Sequence, residues 1–450
     1  MNTPQQLIGK RILFANVPGE GHFNPLTGLA KHLAAQGCDV RWYSSYAFAG
    51  KIAQLGIQHY PFTRALDVPS DKIDEVFPER KTIKGQIAKL NFDMRHYFIL
   101  RGPEYLEDMK DIYSDWPFDV LVADCVFSAI PFVEPVLGVP VISIGVLPLV
   151  ETSKDLAPSG LGITPSRNFL GRFKQTLLRK MADHVLFKKS NRLFFSLLAK
   201  YNIEPTTSNA FDALVKGARY FLQSGTPGME YKRSDMGSNI HFIGPVLPYS
   251  DPGKPKRTWK QPDWKKWRGA ILVTQGTVEK DVEKLLVPTL DAFKGTDILV
   301  IATTGGSGTD NLRKRFPHEN IIVEDFIPFN EVMPHVQAMV SNGGFGGVLM
   351  GIQHRLPLVV AGIHEGKNEI CARIGYFRLG INLQTEQPQP KQVKKAVEQV
   401  LQEPVYRNNI TVLSNEFAAY PVNQRFEQFL LRCLKEVPAG SRNTAAPVAA

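Results

Sequence analysis

Cysteine is scarce in this chain. The four residues Cys38, Cys125, Cys371 and Cys433 lie far apart and form no C-x-x-C pair. That spacing argues against a disulfide frame or a thiolate zinc site and leaves reduced core thiols of a cytoplasmic protein as the expectation. Long apolar runs are also missing: no stretch approaches the roughly 20 uninterrupted apolar residues of a membrane span. Met1 to Lys10 is polar and leads straight into a strand-like stretch, so no secretory signal is expected. Acid is in deficit, with 43 Asp and Glu against 53 Lys and Arg, a formal net charge of +10. The excess is spread along the chain without a nucleic-acid module, so no nucleic-acid partner is expected.

The basic excess is densest between Pro165 and Lys200, where Arg167, Arg172, Lys174, Arg179, Lys180, Lys188, Lys189 and Arg192 face the single acid Asp183. Phe169, Leu170, Phe173, Leu177 and Met181 recur there at helical spacing. The ordinary reading is a helix with a solvated basic face. The sharper one is peripheral contact with an anionic membrane through residues 165–200.

The chain is 450 residues long and 43% apolar, which suits two domains of roughly 200 residues each. Arg11–Val17 reads as a buried strand. Asn24 is placed to cap the following helix, with Pro25 in its first turn; Leu26, Leu29, Ala30 and Leu33 recur at helical spacing, and Gly37 stops it. Asp39–Tyr43, Asp119–Ala123 and Val139–Ile144 continue a strand–helix alternation. Helical patterns fill 84–113 and 166–201, and a Pro-, Lys- and Trp-rich stretch follows Gly244-Pro245. A second alternating series has strands at Ala270–Thr274, Ile298–Thr303, Ile321–Asp325, Ala338–Ser341 and Leu358–Ala361, with a last clear helix at Lys391–Leu401. The expected fold is α/β, with two doubly wound Rossmann-like domains facing across a cleft. Ligands are then sought at the carboxyl ends of the strands. The expected division is an N-terminal domain over 1–248, a linker over 249–268, a C-terminal domain over 269–420, a closing helix over 421–436 and a disordered tail over 437–450.

The first post-strand loop is Pro18-Gly19-Glu20-Gly21-His22-Phe23-Asn24-Pro25. A histidine at a strand end before a helix can take a proton near neutral pH, or merely fill the turn. Asp124 follows a later strand; if the two strands are neighbours its carboxylate can orient the His22 ring. Otherwise it caps the next helix, with Asp119 as a weaker rival partner and Ser143 without an evident place in the pair. In the second half, Thr274-Gln275-Gly276-Thr277 and Gly305-Gly306-Ser307-Gly308 follow strands. Ser341-Asn342-Gly343-Gly344-Phe345-Gly346-Gly347 places four glycines between a strand and a helix, so several backbone N–H groups can meet a diphosphate. No Gly-Lys-Ser/Thr follows, which excludes a P-loop, and the Rossmann dinucleotide pattern is not met.

These motifs together resemble the inverting GT-B glycosyltransferases of the UDP-glycosyltransferase type, in their bacterial macrolide- and flavonoid-modifying branch. The resemblance rests on Gly21-His22-x-x-Pro25, Asp124, Gly244-Pro245 and the run from Ile321 to Leu383. It implies His22 as general base with Asp124 as its partner. It also implies Phe326 and Ile327 beside the nucleotide base, and Gly276, Thr277 and the loop Asn342, Gly343, Gly344, Gly346 and Gly347 around the diphosphate. Three positions depart from the family: Asn342 stands where His is common, Met350 where a ribose-binding Glu is common, and Gly366-Lys367 where an Asp-Gln pair meets the sugar. Glu365 or Glu369 could substitute there, beside Lys367.

The expected reaction is metal-independent transfer of a hexose from a UDP-sugar, or alternatively a dTDP-sugar, to a hydroxyl of a small hydrophobic acceptor. No Asp-x-Asp motif is present, no cofactor is implied, and the nucleotide sugar is a co-substrate. The competing readings are a sugar-nucleotide epimerase on the same scaffold and a non-catalytic sugar-nucleotide-binding protein.

Overall fold

The computed structural model describes residues 6–250, 259–276, 278–364 and 366–436. Thr277, Glu365, residues 251–258 of the expected linker and the expected tail lie outside the described residues. Seven strands form the first sheet: β1 (Arg11–Ala15), β2 (Asp39–Ser44), β3 (Gln58–Pro61), β4 (Val120–Asp124), β5 (Val141–Gly145), β6 (Tyr220–Ser224) and β7 (Ile240–Gly244). Their order is β3-β2-β1-β4-β5-β6-β7, and every neighbouring pair is parallel. The second sheet holds β8 (Gly269–Thr274), β9 (Ile298–Thr303), β10 (Ile321–Glu324), β11 (Ala338–Ser341), β12 (Leu358–Val360) and β13 (Gly380–Asn382). Its order is β10-β9-β8-β11-β12-β13, again parallel throughout.

Parallel strands need helices on both faces, so their sequences are almost continuously apolar. β4, β5, β9 and β11 are buried along their whole length. In each sheet the strand order reverses once, between β1 and β4 and between β8 and β11, which opens a crevice at the carboxyl ends of those strands.

The first helix, Glu20–Ala35, begins a turn earlier than the sequence suggests, with Gly19 as its N-cap. Asn24 is therefore inside the helix, where its amide donates to Glu20 at 2.9 Å. Pro25 lies in the second turn, where its missing N–H forfeits only a bond to the Gly21 carbonyl. Gly37 ends the helix as expected, at φ +85°.

The final helix, Val422–Lys435, returns to the first domain. Its Phe426, Phe429, Leu430 and Cys433 join the core formed by the first helix and the first sheet. In the opposite direction, Met229 of the segment after β6 is buried in the core of the second domain.

Candidate active site

The crevice of the first sheet carries a buried carboxylate. Ala15 pairs with Ala123, so the loop after β1 and the last residue of β4 share one rim. Asp124 is fully buried and accepts three hydrogen bonds. Oδ2 takes the Val17 N–H at 2.8 Å, while Oδ1 takes the Val126 N–H at 3.0 Å and His22 Nδ1 at 2.9 Å. A carboxylate can only accept, so Nδ1 carries the proton and the lone pair sits on Nε2. The His22 side chain keeps 20% of its surface exposed, and no partner for Nε2 is found among the described residues.

The turn that aims this ring needs Gly19, because a Cβ there would lie 3.1 Å from His22 Cδ2. The Pro18 carbonyl fixes the loop from outside by accepting Ser70 N–H at 3.0 Å and the Tyr97 hydroxyl at 3.3 Å. Sequence reasoning did not find Tyr97, whose bond spans 79 residues. Asp119 sits at the other end of β4, accepting the Arg11 N–H at 2.9 Å, and is no rival for the histidine. Ser143 is buried inside β5 and its hydroxyl has no partner among the described residues.

The crevice of the second sheet is built from backbone. Thr274 pairs with Ser341, which puts Gly276 and the glycine loop on one rim. Gly343 adopts φ +78°, and a Cβ there would approach Cys371 Sγ to 2.5 Å, so both the turn and the packing demand glycine. The amides of Gly343 and Gly344 turn inward, to Ser341 Oγ at 3.2 Å and Asn342 Oδ1 at 3.3 Å. Asn342 is a staple: its Nδ2 donates to the Gln275 carbonyl at 2.6 Å and joins the two loops.

The amides that open the following helix, Phe345–Gln353, are those of Phe345, Gly346 and Gly347. As first-turn N–H groups they lack helical partners. A Cβ on Gly346 would meet nothing within 4 Å among the described residues. Of the glycine-loop amides expected from sequence, those of Gly346 and Gly347 open the helix, while those of Gly343 and Gly344 bond within the loop.

The remaining expected residues divide. Phe326 is 42% exposed, and its ring lies against Gly306, whose Cβ would meet Cε2 at 3.8 Å. Ile327, its neighbour, is buried in the second-domain core and offers no side chain to a nucleotide base. Lys367 opens the helix Lys367–Tyr376 and lines a small open cavity with Gln275, Lys284, Asn342 and Glu386. Glu369 does not face this cavity: it is 8% exposed and bound to Arg373 Nη1 at 2.9 Å and to two amides of the first domain.

The first helix, which carries His22 in its first turn, contacts the glycine-loop helix across the domain boundary. The arrangement pairs a candidate proton acceptor with uncharged donors that can hold an anion.

Residues 288–431 match the family model described as the C-terminal domain of erythromycin biosynthesis protein CIII-like proteins. The chain is 35% identical to 4'-demethylrebeccamycin synthase of Lentzea aerocolonigenes, over 92% of this chain and 96% of that protein. It is 27% identical to UDP-glycosyltransferase 2 of Phaeomoniella chlamydospora, over 91% and 92%. Among solved structures it resembles the kitacinnamycin glycosyltransferase, with a TM-score of 0.72 and 19% identity over 95% of this chain and 99% of that one. It also resembles glycosyltransferase VinC in complex with dTDP, with a TM-score of 0.66 and 15% identity over 94% and 99%.

Proposed function

The chain belongs to the glycosyltransferases of the UDP-glycosyltransferase type, and on that premise we propose inverting, metal-independent transfer of a hexose to a hydroxyl of a small hydrophobic acceptor. The observation that carries this reading is the His22–Asp124 pair at one strand-order reversal and an open helix N-terminus at the other, on two helices that touch. As the acceptor oxygen attacks the anomeric carbon, its proton passes to His22 Nε2. The bond from that carbon to the diphosphate breaks on the opposite face. Asp124 stabilises the imidazolium, and the amides of Phe345, Gly346 and Gly347 gather the charge of the leaving diphosphate. Gly276 and Lys367 stand beside that path, and Phe326 offers a face to the base. In-line attack on an α-linked donor gives a β-linked product.

UDP is the leading nucleotide. Met350, half-buried on the glycine-loop helix, cannot accept a ribose hydroxyl proton and so favours dTDP as the alternative. The test is mass spectrometry of the pure protein with a mixed aglycone panel and UDP- or dTDP-glucose. A hexose added to a lipophilic hydroxyl compound supports the reading. Donor consumption without any acceptor product rejects it, and a clear preference for UDP rejects the role given to Met350.

The basic segment supports a second partner. The helix Phe169–Met181 turns its polar Gln175 inward, where it donates to the Thr164 carbonyl at 3.0 Å. It leaves Phe169 81% and Phe173 63% exposed, with Leu170, Leu177 and Met181 beside them. Arg167, Arg172, Lys174 and Lys180 around this stripe are also exposed. An exposed apolar stripe edged with cations suits an anionic lipid surface. Among the described residues no helix is long and apolar enough to cross a membrane, so the contact proposed is peripheral. Flotation with phosphatidylserine vesicles should recover the protein, and Phe169→Asp with Phe173→Asp should abolish recovery. No binding to anionic vesicles rejects the contact. Self-association lost in the same variant would assign the stripe to a second copy of the chain.

A further inference from the structure

The loop after β5 begins one strand over from Asp124, which pairs with Ile144, and so starts on the rim that holds the His22 dyad. Two residues of the other domain hold it. Glu369 Oε1 accepts the Gly160 N–H at 2.9 Å and the Gly162 N–H at 2.8 Å, and Asn368 Nδ2 donates to the Gly160 carbonyl at 2.6 Å. Gly160 and Gly162 have φ of +96° and +63°, and a Cβ on Gly162 would lie 3.1 Å from the Asn368 carbonyl oxygen. The loop thus passes too close to carry a side chain there.

Asn368 and Glu369 stand in the first turn of the helix Lys367–Tyr376, which also packs under the glycine bed. A Cβ on Gly362 would lie 2.9 Å from Lys367 Cβ, and Cys371 of the same helix blocks any Cβ on Gly343. Glu369 is braced from behind: Arg373 Nη1 holds it at 2.9 Å while Nη2 holds Glu230 of the first domain at 2.6 Å. One helical turn therefore touches the glycine loop on one side and the dyad-side loop on the other.

We propose that Asn368 and Glu369 are positioning residues that clamp the acceptor-side loop to the donor-side helix, so that acceptor and seated donor meet in one register. This rests on the glycosyltransferase reading. Neither residue touches a reacting atom; both act through the loop, so their loss falls on the acceptor.

Asn368→Ala and Gly162→Ala break the clamp from opposite sides and leave the buried Glu369–Arg373–Glu230 chain in place. Each should raise the acceptor KM about tenfold, as expected for losing one or two good hydrogen bonds. Donor KM and acceptor-free donor hydrolysis should stay unchanged. The double variant should be little worse than the worse single, because both remove one contact. Trypsin cleavage at Lys154 and Arg167, which flank the loop, should speed up in both. Unchanged acceptor KM, equal shifts in donor and acceptor KM, or fully additive losses would each overturn the proposal. If the wild-type protein transfers no sugar and binds no nucleotide, the glycosyltransferase reading fails, and the trypsin comparison alone then decides the clamp.

Discussion

The two halves of this molecule use one topology for opposite chemistry. Each has a parallel sheet whose strand order reverses once, and each places its functional loops at that reversal. The first half puts side chains there: a titratable ring and a buried carboxylate, fixed by hydrogen bonds to within one tautomer. The second half removes side chains there and leaves backbone amides at the start of a helix. In the proposed reaction a proton moves at one crevice and a leaving negative charge is held at the other. The fold supplies two equivalent positions; the loops decide what each can do.

The largest effect comes from breaking the first crevice. His22→Ala should lower turnover by about 10²–10⁴-fold, the range for a lost general base. UDP affinity, measured by calorimetry, should stay nearly constant because the proposed nucleotide seat is at the other crevice. Asp124→Asn should fall in the same range, since an amide NH₂ facing Nδ1 favours the wrong tautomer. A folded His22→Ala protein with normal turnover would remove the basis of the mechanism.

A smaller, complementary loss is expected from the second crevice. Gly343→Ala must place a methyl at φ +78° and 2.5 Å from Cys371 Sγ. Strain of roughly 1–3 kcal/mol should distort the amide bed and weaken nucleotide binding about 10–100-fold. Acid–base behaviour should persist, so the pH–rate profile keeps its shape while donor KM rises. A changed pH profile with unchanged donor KM would show that the two crevices do not divide the work this way.

Much of this division is legible in the sequence. Strands such as Ile298–Thr303 and Ala338–Ser341 stand out because both faces of a parallel sheet are covered, which writes the strand as a short apolar run before a glycine-rich turn. His22, Asp124 and the glycine loop are local signals at strand ends. What the sequence hides is direction. Phe326 and Ile327 are adjacent, and only packing decides that the first faces out and the second joins the core. Asn342 reads as a ligand donor, and the sequence does not show that one of its two amide hydrogens goes to the Gln275 carbonyl. The first helix starts early because Gly-Glu-Gly-His, weakly helical alone, is held by Asp124 and the Gly19 cap. The clamp around Glu369 joins residues more than 200 positions apart and has no local pattern at all.

The smallest effect concerns the joint between the two halves. Glu230 is buried and accepts the Leu149 and Tyr231 N–H groups at 3.1 and 2.8 Å, besides Arg373 and, at 3.2 Å, Arg233. Burial alone would raise its pKa, but the two guanidinium groups and the hydrogen bonds outweigh burial and hold it below the ordinary 4.5. A carboxylate whose pKa is lower folded than unfolded stabilises the fold fully above the unfolded value and loses that contribution as pH falls through the folded one. Stability should therefore decline with a contribution from Glu230 of at most about 1.4 kcal/mol per pH unit below roughly pH 4.5. Glu230→Gln should lower Tm at neutral pH, because it strands Arg373, yet flatten the acid slope relative to wild type. Carboxylates away from Arg373 titrate alike in both proteins, so the difference between the two Tm-versus-pH curves isolates this joint, Glu369 included. Parallel curves between pH 3 and 6 would mean that the two halves are held together by apolar contacts such as Met229, with the buried charges contributing nothing to the pH dependence.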